Sequence, residues 1–397
     1  MAPTGGFVPP PYPHDRLADL AARAARVPGG IVDVSVGTPV DPMPEVAVEA
    51  LVAATRGATG YPATIGSADL RAAAAAWIER RFGCVVGADA VVACIGTKEL
   101  VASLPRALSL RDPSRDVVLY PAASYPTYAM GATLAGLRAV PVPVDERWRP
   151  RLDQVDPADA ARALLLWLND PSNPTGVCAT PDEMQASVEW ARERGVIVAS
   201  DECYAEFTYD DDGAPADPVT ALRAGADGVL AVHSLSKRSN MAGLRAGFVA
   251  GDPGLVTYLG EIRKHGGLMT PAPVQAAAAA ALGDDEHVRE QQLRYARRRA
   301  IAVPALEARG LVHDGGPSAF YLWLRDRDGA RRGWDIAADL AESGLLVAPG
   351  DIYGPAGELH VRVALTLTDE QLALACERLV SASSRPGGGV PSSAPVG

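Results

Sequence analysis

Between Asp116 and Asp252 the chain alternates short apolar runs with stretches of helical spacing. The apolar runs are DVVLYP, LRAVPVPV, ARALLLWLND, GVIVASDE, GVLAVHS and AGFVAGD. PTYAMGATLAG and TPDEMQASVEWARERG lie among them. A strand with one wet face alternates polar and apolar residues; a near-continuous apolar strand is covered on both faces. Helices between such strands make crossovers and leave the strands mostly parallel. The expected fold is therefore α/β, a mostly parallel central sheet flanked by helices. In open sheets of this kind chemistry collects beyond the C-terminal ends of the strands.

Candidate residues stand at three such ends: Asn169 to Gly176, Asp201 to Tyr204, and Ser234 to Lys237. The last group belongs to VHSLSKRSNMAGLRAG, Val232 to Gly247. A lysine that is desolvated or placed near other cations loses its proton readily and becomes an amine nucleophile. Ser234, Ser236 and Arg245 around Lys237 are the groups a phosphate needs. An aldehyde with a phosphate, pyridoxal phosphate (PLP), would use both. Asp201 closes an apolar strand, where a carboxylate is costly unless paired; a protonated pyridine nitrogen would pair it. Tyr204 and Asn173 could face the ring hydroxyl, and Tyr125, in SYPTY, could stack on the ring. Taken singly, each has a plainer reading: a solvated lysine in a turn, a strand-end cap, an Asn-Pro turn, a packed tyrosine. Their common placement argues for one site.

Other segments add to it. IVDVSVG reads as a strand, Ile31 to Val36, ending at Gly37, where a missing Cβ would let backbone approach a substrate. A helix with Asp15 as its cap and Leu17 and Leu20 buried should precede it. GYPATIGSADL carries Tyr61 and leads into a helix from Arg71 to Phe82, with Ser67 and Asp69 as capping candidates. GTKE follows the strand VVACI and opens a helix, so Thr97 and Lys98 sit at a ready anion site. Arg362 stands among apolar neighbours in HVRVAL, where its fork would grip a substrate carboxylate or a structural partner. Asp210 to Asp212 read as a solvated turn, not a metal site.

After Gln275 a long helix, strands and further helices suit a smaller α+β domain. The expected division is residues 1–36 as an N-terminal arm and helix joining the small domain, 37–275 as the large domain, 276–381 as the small domain, and 382–397 as a disordered Gly/Pro/Ser-rich tail. A net charge of −11 with no dense basic cluster argues against nucleic acid and anionic membranes as partners. No apolar run is long enough to span a bilayer, and the first residues give no expectation of a signal peptide. Five scattered cysteines without C-x-x-C suit a reduced cytoplasm.

With GTKE, SNPTG, SDECY, HSLSK-x7-R and HVRVAL in this order, the chain resembles the class I/II, fold-type I aminotransferases over nearly its whole length. The resemblance implies that Lys237 binds PLP covalently and shuttles the proton, while Asp201 pairs with the pyridine nitrogen. It implies that Asn173 and Tyr204 contact the ring hydroxyl and that Tyr125 stacks on the ring. Thr97, Lys98, Ser234, Ser236 and Arg245 would cradle the phosphate, and Arg362, with Gly37 and Asn173, would bind the substrate. Tyr61 would reach the phosphate of a neighbouring subunit, which implies a homodimer. VDVSVGTPVDP, GYPATIGSADLR, LLVAPGDIYGPAG and ELHVRVALT add a similarity to actinobacterial N-succinyldiaminopimelate aminotransferases. That implies exchange of an amino group between glutamate and N-succinyl-2-amino-6-oxopimelate in lysine biosynthesis. Tyr125 stands where some members have tryptophan, and Asp170 follows the usual L-N. IRKHGG, with Arg263, Lys264 and His265, is a candidate for the substrate's far end, since the resemblance implies that this region approaches the active site of the partner subunit; a solvated helix end is its other reading. The competing functions are an aminotransferase for another amino acid and oxo acid pair, a PLP lyase, and a PLP-sensing regulator. The regulator would need a DNA-binding domain, for which the chain before its first strand is short.

Overall fold

A computed structural model of the protein describes residues 6–383. The apolar runs form a seven-stranded sheet of β1 (Val91–Cys94), β2 (Val117–Pro121), β3 (Arg138–Val142), β4 (Ala163–Asn169), β5 (Ile197–Asp201), β6 (Val229–Ser234) and β7 (Gly247–Gly251). Their order across the sheet is β1-β7-β6-β5-β4-β2-β3. Strands β2 to β6 pair in parallel, as the apolar runs require. AGFVAGD, β7, is antiparallel to both neighbours. Its connection from β6 holds only the helix Leu235–Arg238 and a 3-10 turn, so the chain returns from the end of the sheet at which it left. Along β4, Leu165 and Trp167 pack into one core and Leu166 and Leu168 into another, so both faces are covered.

A second, four-stranded antiparallel sheet contains β8 (Leu311–His313), β9 (Tyr321–Asp326), β10 (Ala348–Pro349) and β11 (His360–Ala364), in the order β10-β11-β9-β8. Its core, built on Phe320, Trp323 and Val361, also takes in Tyr204 and Phe207 from the segment after β5. The helix Ala18–Ala24 packs on the helix Gly333–Glu342 beside it. The architecture is the expected α/β one, a large mixed sheet flanked by helices with a separate small-sheet domain. Among the described residues no helix is long and apolar enough to cross a membrane.

Local chemistry sets the element ends. Ser67 Oγ accepts from Leu70 N at 3.1 Å, so the expected helix begins at Ala68 rather than Arg71. Asp15 caps nothing: it lies inside the 3-10 turn Pro13–Leu17, and the helix that follows has no side-chain cap, although Leu17 and Leu20 are buried. The strand expected from Ile31 to Val36 shrinks to Val32–Asp33, paired in parallel with Leu345–Leu346. Asp33 Oδ1 accepts from Ser35 N and Oγ at 2.9 and 2.7 Å, a local bond pattern that competes with a sheet ladder. The single long helix expected after Gln275 is two, Ala272–Leu282 and Glu286–Glu307. Asp285 at the break is held by Arg80 at 2.6 Å and Arg238 at 3.1 Å, and Asp284 Oδ1 accepts from Glu286 N. A helix that the sequence reading missed, Asp369–Ser383, ends the described chain. Its signal is T-x-x-Q: Thr368 and Gln371 exchange backbone and side-chain bonds at 3.0 and 3.2 Å. The tail expected from residue 382 lies outside the described residues beyond Ser383.

Candidate active site

Asn169 and Asp201 are register partners at the ends of β4 and β5, and Ser234 ends β6. A cavity of about 480 Å³ lies against these ends. Of the residues expected from sequence, Gly37, Thr97, Lys98, Tyr125, Asn173, Asp201, Tyr204, Ser234, Ser236, Lys237, Arg245 and Arg362 line it. Tyr61 does not; its side chain is 95% exposed.

One end of the cavity is built for an anion. Gly96 (φ 68°) caps the helix Thr97–Arg111, whose first N–H groups have no partner within the helix. Arg245, itself left-handed at φ 59°, lays its guanidinium against Gly96. A Cβ on Gly96 would stand 2.1 Å from Arg245 Nη2, so only glycine leaves this cradle open. Ser234 Oγ accepts from Ser236 N at 3.1 Å and turns the chain beside it.

Lys98 departs from the expected cradle. Its Nζ donates to Tyr12 Oη at 2.9 Å and lies 4.7 Å from that ring's centre. Burial pulls its pKa down, but the bond to Tyr12 and the nearby Tyr125 outweigh it, and the ammonium is held above its ordinary range.

Lys237 Nζ donates to the carbonyl of Gly37. Burial, with Arg362 and Arg245 adding to it against Cys203 and Asp201, brings its pKa down to about 8. Its amine is therefore far easier to free than that of a surface lysine. Asp201 is buried and, among the described residues, meets only neutral donors, Tyr128 Oη at 2.8 Å and Cys203 N at 3.3 Å. Burial lifts its pKa despite these bonds. A buried carboxylate without a cationic partner suits a protonated ring nitrogen.

Arg362 has the converse need. It is 3% exposed and makes no ion pair among the described residues. Nη1 donates to Asn173 Oδ1 and Nη2 to Ser35 O, both at 2.7 Å, while the buried Nε has no partner among the described residues. Tyr321 and Tyr353 flank the guanidinium at 4.1 and 4.8 Å. Because Asn173 gives its carbonyl oxygen to Arg362, its Nδ2 is left to donate. Tyr204 Oη shares a hydrogen bond with Tyr321 Oη at 2.9 Å. Tyr321 also explains Gly37: a Cβ there would lie 2.1 Å from the Tyr321 hydroxyl.

Sequence reasoning missed Tyr128, Tyr321, Tyr353, Tyr12 and His14, all of which line the cavity. Tyr128 had a signal, its i+3 spacing from Tyr125 in SYPTY. Tyr12 and His14 sit in a proline-rich arm with no periodicity to mark them. The IRKHGG patch is not part of this cavity. Arg263 is buried and clamps Glu99 through both terminal nitrogens at 3.0 and 2.8 Å. Lys264 pairs with Glu261 at 2.6 Å near the end of the helix Pro253–Gly266, and His265 is exposed there.

Among the described residues no group of histidine, cysteine and carboxylate side chains could hold a metal ion. The residues present do fit PLP: a phosphate-sized cradle that a Cβ would close, a lysine poised to lose its proton, and a buried carboxylate without a cation.

Comparison with known proteins agrees. The model for aminotransferase class I and II matches residues 30–379. A probable aminotransferase of Mycobacterium tuberculosis is 50% identical over 93% of this chain and 85% of its own length. The 4-dedimethylamino-4-oxo-anhydrotetracycline transaminase OxyQ of Streptomyces rimosus is 44% identical over 93% of this chain and 99% of its own. An LL-diaminopimelate aminotransferase of Aquifex aeolicus is 32% identical over 93% and 96%. Among solved structures, substrate-bound BacF of Bacillus subtilis superposes with a TM-score of 0.87 at 26% identity, covering 97% of this chain and 100% of that one. A probable N-succinyldiaminopimelate aminotransferase of Thermus thermophilus gives 0.82 at 30% identity, covering 93% and 99%. The chain belongs to the class I and II aminotransferases, and its cofactor is pyridoxal phosphate.

Proposed function

We propose that this aminotransferase moves an amino group between glutamate and N-succinyl-2-amino-6-oxopimelate, giving N-succinyl-LL-2,6-diaminopimelate and 2-oxoglutarate. The observation that carries the reading is a pair of cations in one cavity: Arg362, buried without an anion, and Lys98, bound to a tyrosine hydroxyl. Donor and acceptor in this reaction both carry a carboxylate beside the reacting carbon and an anion farther along. Arg362 would hold the first and Lys98 with Tyr12 the second. The names of the Aquifex and Thermus relatives support the diaminopimelate class.

When bound, PLP supplies the sink for the electrons released at the substrate's reacting carbon. In our reading Lys237 takes and returns the proton at that carbon. Its lowered pKa lets it hold the proton only briefly. Asp201 would keep the pyridine nitrogen protonated, its carboxylate held in place by Tyr128 and Cys203. Asn173 and Tyr204 would hold the ring hydroxyl, Tyr125 would cover the ring, and Thr97, Ser234, Ser236 and Arg245 would bind the phosphate. Tyr61, exposed on its own chain, would serve the site of a second subunit, so the working form is a homodimer.

A second reading has one observation in its favour, the 44% identity to OxyQ. It would replace the open-chain oxo acid with a polycyclic ketone. The test is a panel of acceptors offered to the enzyme with glutamate: N-succinyl-2-amino-6-oxopimelate, its analogue without the succinyl group, simple 2-oxo acids and a tetracyclic ketone. Highest kcat/KM for the succinylated acceptor upholds the proposal. A higher value for another acceptor replaces it.

A further inference from the structure

We propose that His14, on the N-terminal arm, is a substrate-contacting residue that donates a hydrogen bond to the substrate's second anionic group. The proposal rests on the two-anion reading of the cavity given above.

His14 lies in the turn Pro13–Leu17 and lines the cavity beside Tyr12. Both ring nitrogens are shielded from solvent and neither has a hydrogen-bond partner among the described residues. Buried polar atoms are nearly always bonded, and an imidazole of either charge keeps at least one N–H to donate. The Ser35 carbonyl lies beside the ring, but it takes Arg362 Nη2 at 2.7 Å and makes no hydrogen bond of good geometry with either ring nitrogen. The unmet demand therefore faces the cavity.

The surrounding charge favours an anion there. Burial lowers the pKa of His14, and Arg362 and Lys98 lower it further; the Ser35 carbonyl and Asp33 oppose them. Asp33 is turned onto Ser35, whose N and Oγ it accepts from. An entering anion would offset the two cations and strengthen donation from the ring.

Donor supply decides which anion. An ionised carboxylate offers about four acceptor positions. The one beside the reacting carbon has the Arg362 fork. The distal one has Lys98 Nζ and Tyr12 Oη, which already share one bond at 2.9 Å. The His14 ring stacks on Tyr12, with centroids 5.6 Å apart and planes 24° apart, so it stands on the wall where that third donor is needed.

The test compares holoenzymes carrying His14, His14→Phe and His14→Gln. The probes are glutarate, with two carboxylates, and butyrate, with one, titrated against the cofactor's absorbance. The half-reactions with glutamate and with 2-aminobutyrate are measured alongside. His14→Phe should weaken glutarate binding roughly 10-fold and leave butyrate within about twofold, as one lost bond to a charged group requires. KM for glutamate should rise with kcat nearly unchanged, the mark of lost uniform binding. His14→Gln, which keeps a donor, should recover most of the loss. Equal weakening of both probes, no weakening, or a glutamine as poor as phenylalanine overturns the role of His14. If the unaltered enzyme binds glutarate no better than butyrate, the two-anion reading fails and this proposal falls with it. If it prefers glutarate and His14→Phe keeps that preference, His14 alone is refuted.

Discussion

Tyr128 donates its hydroxyl hydrogen to Asp201 Oδ2 at 2.8 Å, with its ring stacked on Trp167 at 4.9 Å between centroids. The bond links the helix Thr127–Leu134, which follows β2, to the end of β5. It fixes the rotamer of a buried carboxylate that no cation among the described residues holds. The phenol thereby sets where Asp201 can meet a ring nitrogen.

Tyr128→Phe should therefore lower kcat with PLP still bound. A hydrogen bond to a charged group contributes about 1.5–3 kcal/mol, or roughly 10- to 100-fold in rate. Asp201→Ala should lose more, orders of magnitude, because the nitrogen loses its partner. Steady-state kinetics and PLP content per subunit measure both. Unchanged kcat in Tyr128→Phe would reduce Tyr128 to a packing residue.

Gly96→Ala tests the phosphate cradle. The change strains a left-handed backbone and drives a Cβ into Arg245. PLP dissociation, followed by dialysis, should become at least about tenfold easier as Arg245 is displaced. Gly136→Ala is the control: its φ of 75° carries the same strain, but nothing lies within 4 Å of the added Cβ. That variant should lose about 1 kcal/mol of stability and keep its PLP. Equal PLP loss in both would assign the effect to strain alone.

The lowered pKa of Lys237 gives a pH profile. Only the neutral amine attacks an aldehyde. Uptake of PLP by the apoprotein should speed up with pH and level off above about 8. Borohydride trapping should place the label on Lys237, and Lys237→Ala should take none covalently. A rate still climbing at pH 10 would mean a solvated lysine.

The strands and the chemistry at their ends were legible because burial writes itself into sequence. Asn169, Asp201 and Ser234 each interrupt or close an apolar run, and parallel register brings those closures together. The partners of these residues were harder to read. Tyr128 and Tyr321 look like ordinary core aromatics, since their role depends on where one hydroxyl points. Lys98 sits in a sequence context that suits phosphate, yet its side chain swings to Tyr12, which lies 86 residues earlier. No local pattern encodes such a long-range contact. Arg263 misled in the opposite way: a basic residue near a helix end reads as solvated, and here it is buried on Glu99.

Asp170 gives a stability test at the position after the usual L-N. It is 6% exposed and accepts from Ala179 N at 2.6 Å and Cys178 Sγ at 3.1 Å, with no cation in ion-pair contact among the described residues. Burial pushes its pKa up to about 7 against those bonds. The folded protein thus binds this proton more tightly than the unfolded chain, whose carboxyl titrates near 3.8. Stability from this group is full below about pH 4 and is lost as the pH rises through about 7. A neutral amide in its place does not titrate. Asp170→Asn should therefore lose less stability between pH 4 and pH 8 than the unaltered protein, by a difference on the order of a few kcal/mol. Urea unfolding of the two proteins at both pH values gives that difference directly. Glu202, buried and raised to about 8, titrates in both proteins, and Asp170 is among the charges that raise it, so the measured difference includes their mutual repulsion. Parallel stability curves for the two proteins would show that Asp170 stays ionised throughout, and the inferred cost of burying its charge would be withdrawn.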